Sequence, residues 1–230
     1  MINPQFRNLI SYPYMAYSDK IQVKPVFKGL TGDPLVVNLS PGSLVFDFVD
    51  IHDQRAFQNL LDKWMKDRHI FGLASYLENR ETILSHYPQM KAEKRFFHLG
   101  LDIIVPLGTP LCAPLDSRVE VSGYEAGDKN YGAHVLLMHE SSIFETFYSL
   151  YGHLNREKLP PVGQTFAAGE IFAFIGDFSE NGNWFYHTHL QIITRKGLDE
   201  GYLLKGYCAS KDLARMDDLC PSPLPLFKIR

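Results

Sequence analysis

The second half of the chain holds histidines and an aspartate spaced for metal chemistry. The segments are His98-Leu99-Gly100-Leu101-Asp102, Tyr151-Gly152-His153-Leu154 and His187-Thr188-His189. A zinc hydrolase needs three protein ligands, an open position for water, and a base that is not a ligand. Four imidazoles and one carboxylate can meet all of these needs. His187 and His189 are two apart, so in a strand both rings project from one face. One can bind a metal while the other meets the reacting carbonyl. His98 and Asp102 would share a face of a helix, but Gly100 intervenes and Ile103-Ile104-Val105-Pro106 follows. That pattern favours an extended segment leaving a turn. Asp102 and His189 lie far apart in sequence, so any shared site exists only in the folded domain.

Two other metal architectures fit less well. A zincin needs H-E-x-x-H, with the glutamate as general base, and the sequence has none. A cupin would follow its H-x-H with a ligand glutamate, whereas Leu190-Gln191-Ile192-Ile193-Thr194 follows His189. His52, His69 and His86 read as solvated surface residues, and His134 and His139 as structural members of a strand.

These segments, in this order, resemble the lysostaphin-like zinc metallopeptidases, the family of the LytM-type cell-wall endopeptidases. The family pattern is H-x-x-x-D, a central histidine in a Y-x-H-L context, then H-x-H. Supporting matches are Gly108-Thr109-Pro110, Ala113-Pro114-Leu115, Tyr131-Gly132, Gly163-Gln164, Ala168-Gly169-Glu170 and Ile175-Gly176. Together they span about 98 to 194. The resemblance implies that His98, Asp102 and His189 bind one Zn2+ per chain and that His153 and His187 are the catalytic pair. It leaves open which of the two is the base and which stabilises the oxyanion. Thr188 departs from the usual H-L-H-F, on the strand face opposite the histidines. Glu180-Asn181-Gly182-Asn183-Trp184 and Tyr76-Leu77-Glu78-Asn79-Arg80 resemble a narrower cytosolic subgroup. That kind of domain also occurs fused to aminotransferase and kinase-like modules.

The elements that must position these residues are mostly strands. Val119–Val121, His134–Met138, Phe144–Leu150, Ile171–Ile175 and His189–Ile193 are strand-like runs punctuated by glycines. They predict a mainly β fold of two packed antiparallel sheets with an N-terminal β/α appendage. In the N-terminal part, Ile21 to Val26, Leu35 to Leu39 and Leu44 to Phe48 read as three short strands. A helix is expected over 54–68, capped by Asp53, with Phe57, Leu60, Leu61, Trp64 and Met65 on one face. Residues 72–83 read as a short helix or turn, and 85–95 as a connector. The expected organisation is 1–95 as the appendage, 96–195 as the metallopeptidase-like domain, and 196–230 as a tail packed on the core.

Composition sets outer bounds. With 45% hydrophobic and 21% charged residues, the chain has ordinary globular balance. A net charge of -3 gives no basic surplus for nucleic acid or an anionic membrane. Pro4 and Arg7 break the N-terminus before any signal-peptide core can form, so a cytoplasmic location is expected. Three cysteines argue against a disulfide framework, although Cys208 and Cys220 could approach one another.

The expected function is a zinc metalloendopeptidase acting on a peptide or muropeptide. Two alternatives are a metal-binding regulatory module without hydrolysis and a hydrolase of a non-peptide amide. Arg80, Glu78 and Asn181 are candidate substrate contacts, with Arg80 able to fork onto a peptide carboxylate. A histidine base predicts activity falling below about pH 6.

Overall fold

A computed structural model describes residues 21–50, 52–142 and 144–229. The extreme N-terminus, on which the signal-peptide reading rests, lies outside these residues. Twelve strands appear among them: β1 (Leu35–Val36), β2 (Gly72–Ala74), β3 (Arg95–His98), β4 (Leu101–Ile104), β5 (Pro110–Cys112), β6 (Ser117–Glu125), β7 (Gly132–Ser141), β8 (Phe144–Leu154), β9 (Thr165–Phe166), β10 (Ile171–Phe174), β11 (His187–Thr194) and β12 (Tyr207–Ala209). Eight of them form one sheet in the order β1-β2-β4-β11-β8-β7-β6-β9, while β10-β5 and β12-β3 make two-stranded sheets. The mainly β expectation holds at that level. In place of two packed antiparallel sheets there is one large sheet with two small ones, and β1 joins β2 in parallel. The three longest strands, β6 to β8, form a meander, and the short pieces have too little length to build a second full sheet.

All of β4 is buried, and so is β11 from His187 to Ile193. Apolar side chains therefore cover both faces of the sheet centre. Leu101, Ile103, Leu190 and Ile192 enter one core cluster with Val135, Leu137 and Tyr151. Ile193 enters a second with Leu136, Met138, Leu150, Cys208 and Leu219. Because side chains alternate along a strand, the histidines of β11 share their face with Ile193. C-terminal residues such as Tyr202, Cys208 and Cys220 belong to that second cluster. The tail thus helps close the core on the face that carries the site. Cys112, Cys208 and Cys220 are all buried and free.

The N-terminal region differs from the expected three-stranded subdomain. Only Leu35–Val36 is a strand, and Val45–Phe48 is a helical turn. Gly29, Gly32 and Gly42, all at positive φ, leave stretches too short for alternation to separate strand from turn. Val26, Phe27 and Leu30 instead enter the main core, where the Cys112 N–H donates to the Val26 carbonyl at 2.7 Å. The capped helix forms over Gln54–Met65, with the Asp53 side chain accepting from the Ala56 N–H. Residues 72–83 form β2, a turn and the start of a short helix at Glu81–Leu84, and the connector holds a helix at Pro88–Glu93.

A candidate metal centre

Strand register brings the three motifs together. Asp102 of β4 lies directly opposite His189 of β11, so the two side chains leave the same face as a cross-strand pair. His187 follows on that face, two residues away. His98 arrives at the end of β3, held by pairing with Tyr207 of β12. Gly100, between His98 and Asp102, is required by contact: a Cβ there would stand 2.5 Å from the His189 ring. His153, the next-to-last residue of β8, has φ +63°, a left-handed conformation uncommon for non-glycine residues and concentrated at functional sites.

The protons of the four histidines all point away from the centre. Nδ1 of His98 lies 2.9 Å from the Ser75 carbonyl, Nδ1 of His153 lies 2.7 Å from the Asn181 carbonyl, and Nδ1 of His187 lies 2.8 Å from the Phe185 carbonyl. A carbonyl only accepts, so each Nδ1 carries the hydrogen and each Nε2 is left with a lone pair. His189 is reversed. Its Nε2 donates to Gln191 Oε1 at 2.9 Å, and that oxygen also accepts from the Tyr131 hydroxyl. The Gln191 amide nitrogen is turned the other way, toward the Lys205 carbonyl. Nδ1 of His189 is therefore the free donor atom.

What these lone pairs face decides whether a metal fits. His98 Nε2 and His189 Nδ1 are 2.9 Å apart, with no proton available between them. Asp102 Oδ1 lies 3.2 Å from the first and 3.3 Å from the second. It is buried without a hydrogen bond. Three buried donor atoms facing one point would repel one another unless a cation sat among them. Ligand atoms around tetrahedral zinc, bonded at about 2.0–2.1 Å, stand about 3.3 Å apart, which these spacings match. His98, Asp102 and His189 are the metal-competent cluster among the described residues. His187 Nε2 lies slightly farther out, 3.6 Å from Asp102 Oδ1, and its ring centroid is 4.3 Å from that of His153.

Residues 96–200 match the model for peptidase family M23. A protein of Haemophilus influenzae described as an uncharacterized metalloprotease is 35% identical over 95 residues. That alignment covers 40% of this chain and 18% of the relative, so the chain matches only a minor part of that protein's length. Among solved structures, the catalytic domain of lysostaphin from Staphylococcus simulans is 20% identical, with 56% of this chain and 78% of that one covered at a TM-score of 0.40. A zinc-containing peptidase from Vibrio cholerae is 25% identical, with 44% and 28% covered at a TM-score of 0.36.

Much of what orients the three donor residues lies outside residues 96–200, the segment that matches the family model. Arg80 is 1% exposed. Its Nη2 stands 2.8 Å from Asp102 Oδ2, an ion pair off the direction of a hydrogen bond, and its Nε bonds Glu78 Oε2 at 2.9 Å. Burial alone would weaken its charge, but Asp102, Tyr207 and Glu78 raise the guanidinium pKa. Burial likewise opposes ionisation of Asp102, yet the Arg80 guanidinium beside it helps hold the carboxyl well below its usual range. Burial is the first cause of the low histidine values: His98 falls to about 3, His187 to about 4, and His153 well below its ordinary value.

The substrate contacts expected of Arg80, Glu78 and Asn181 need correction on these grounds. Arg80 and Asn181 are buried and Glu78 is half-buried, and the side chains of all three are engaged within the protein. Glu78 holds Arg80 and accepts from the Leu39 N–H. The Asn181 side chain bonds both the N–H and the carbonyl of Trp184, and its backbone carbonyl orients His153. None of residues 72–83 lines the cleft. The cleft in front is lined by Lys129, Tyr131, His153, Trp184, His189 and Tyr207, with Met90 and Leu204 at its margin. The sequence reading missed Ser75, Gln191, Tyr131 and Lys129. Gln191 had a usable signal, since it is two residues past His189 on the same face of β11. Ser75 had none, because it contributes only its carbonyl.

Proposed function

We propose that this chain is a zinc-dependent metalloendopeptidase in which His98 Nε2, Asp102 Oδ1 and His189 Nδ1 hold one zinc and His153 and His187 carry the proton chemistry. The observation that supports this most directly is the tautomer pattern. Two neutral imidazoles that are not ligands stand beside a three-donor cluster, each with its proton committed to a backbone carbonyl. Zinc in that cluster would supply Lewis acidity toward water and the scissile carbonyl. The protein then needs a proton acceptor, and a neutral histidine Nε2 is one. Once protonated, the same nitrogen can donate to the leaving amine. The second histidine can donate to the developing oxyanion when it carries a proton. The presence of both weighs against a regulatory module without hydrolysis. Peptides and peptidoglycan-derived muropeptides are the proposed substrates.

Two sets of variants test the reading. His189→Ala and Asp102→Ala should each lose zinc, because two remaining donors do not make a tight site. His153→Ala and His187→Ala should retain zinc and lose hydrolysis by roughly 10²-fold or more. Metal analysis checks the first set, and mass spectrometry of a peptide and muropeptide library checks the second. Full zinc occupancy in His189→Ala would refute the ligand set.

A further inference from the structure

Two buried cations flank the site, and they differ in one respect. Arg80 has two carboxylate partners, Glu78 and Asp102. Lys129, 5% exposed, has no carboxylate within ion-pair distance among the described residues. Its Nζ donates to the Asn183 carbonyl at 2.7 Å and rests 4.3 Å from the centre of the Trp184 ring. An ammonium has three hydrogens, so one carbonyl leaves donor capacity unused. Buried charges are normally paired, and an unpaired one that lines a cleft is suited to an anion supplied from outside.

The position of Lys129 gives that anion a place. Lys129, Trp184, His153 and His189 line the same cleft. The Trp184 ring centre is 6.1 Å from that of His153, so one indole connects the ammonium to the proposed proton acceptor. The backbone is arranged to hold this geometry. Lys129, His153 and Asn183 all adopt positive φ, at 67°, 63° and 55°, and such conformations persist where the surroundings enforce them. The Lys129 N–H also donates to the Gly182 carbonyl at 2.8 Å. The one cleft carboxylate, Glu125, accepts the Tyr131 N–H.

We infer that Lys129 is a specificity residue that binds a substrate carboxylate one or two residues from the scissile bond. This rests on the peptidase reading above and narrows it to short, acid-bearing peptides. The distances fit, since an extended chain advances about 3.3–3.6 Å per residue. Burial holds the Lys129 pKa down to about 8, with Asp128 opposing the shift, so the group is still mostly cationic at neutral pH. The carboxylate can be a chain terminus or an acidic side chain, and the same ammonium serves either.

The test uses zinc-loaded full-length protein and two matched peptide pairs, with binding followed by calorimetry. N-acetyl-trialanine is compared with its C-terminal amide. N-acetyl-Ala-Glu-Ala-amide is compared with its Gln counterpart. The wild type and Lys129→Arg should bind the acid of at least one pair roughly 10-fold or more tighter, as for a charge-assisted hydrogen bond. The pair that responds identifies the source of the carboxylate. In Lys129→Met the ratio should fall toward one. A wild type without acid preference, or a preference that survives Lys129→Met and so belongs to the metal, overturns the inference. Lys129 would then be only a tether between its loop and residues 182–183. Cleavage is followed in the same samples by mass spectrometry. Cleavage without acid preference removes the carboxylate site alone, and a Lys129-dependent acid preference without cleavage of any substrate removes the peptidase reading alone.

Discussion

At the scale of single residues, burial sets the behaviour of the site. The His187 pKa falls to about 4 and that of His153 lies well below its ordinary value, chiefly because the rings are buried. Both therefore remain neutral proton acceptors well below pH 6. The acid limb of hydrolysis should lie nearer pH 4 than the value expected for an exposed histidine, and a pH–rate profile with zinc held saturating checks this. The same shifts bear on stability. The unfolded histidines bind protons below about pH 6.5 while the folded ones do not, so stability is fully present above that pH and lost as pH falls toward 4. The urea midpoint of metal-free protein should drop across that window. Arg80 invites a second substitution. Arg80→Met leaves the buried Asp102 carboxylate and the half-buried Glu78 carboxylate without their shared cation, a change of the kind that costs about 3–5 kcal/mol. It should also weaken zinc binding by roughly 10–100-fold through loss of ligand orientation. Chelator competition measures the affinity, and thermal unfolding measures the stability.

At the scale of elements, the site depends on contacts that fix where β11 begins. The Phe185 and Tyr186 N–H groups, just before His187, donate to the side-chain oxygens of Gln54 and Gln58 at 3.0 and 2.7 Å. Both glutamines are buried on the helix Gln54–Met65, so an N-terminal helix anchors the H-x-H strand. Gln58→Leu should leave the Tyr186 N–H unsatisfied, at about 1–3 kcal/mol, and should broaden the amide signals of Tyr186 and His187 in NMR spectra. Gly100→Ala probes the other side of the centre. A methyl 2.5 Å from the His189 ring forces that ring or β4 to move, so zinc affinity should fall more than in a Gly→Ala change at Gly163, where a Cβ meets nothing within 4 Å. Gly163 is at positive φ, so its variant also reports the cost of backbone strain without the clash.

At the scale of the whole molecule, the M23 match spans residues 96–200, yet several groups that complete the centre lie outside it. Ser75 orients His98, Arg80 faces Asp102, and β2 pairs with β4 at Ala74 opposite Asp102. On the C-terminal side, Tyr207 pairs with His98 and the Lys205 carbonyl orients Gln191. A fragment of residues 96–200 alone should therefore bind zinc far more weakly than the full chain, or fail to fold cooperatively. Chelator titration and circular-dichroism melts of the two proteins distinguish these outcomes from a fully competent fragment.

The sequence by itself determined the donor types and their grouping. H-x-x-x-D and H-x-H set residue spacings, and the apolar runs around them made strands the economical reading. Alternation along a strand then placed His187 and His189 on one face without any tertiary information. The capped helix over Gln54–Met65 was legible for the same reason, since a local period and an Asp53 cap are properties of contiguous residues. Only the tertiary structure decided the rest. Asp102 meets His189 because of an antiparallel register that no local pattern encodes. The free nitrogen on each histidine depends on carbonyls at Ser75, Phe185 and Asn181 and on the Gln191 side chain, and backbone acceptors leave no residue-type signature. Arg80 looked like a surface arm able to reach a substrate, but folding buried it against Asp102. Lys129 drew no reading from the sequence, and folding placed it in the cleft with no carboxylate within ion-pair distance among the described residues. The burial and pairing of a charge are set by groups distant in the chain, so they could be read only after the chain had folded.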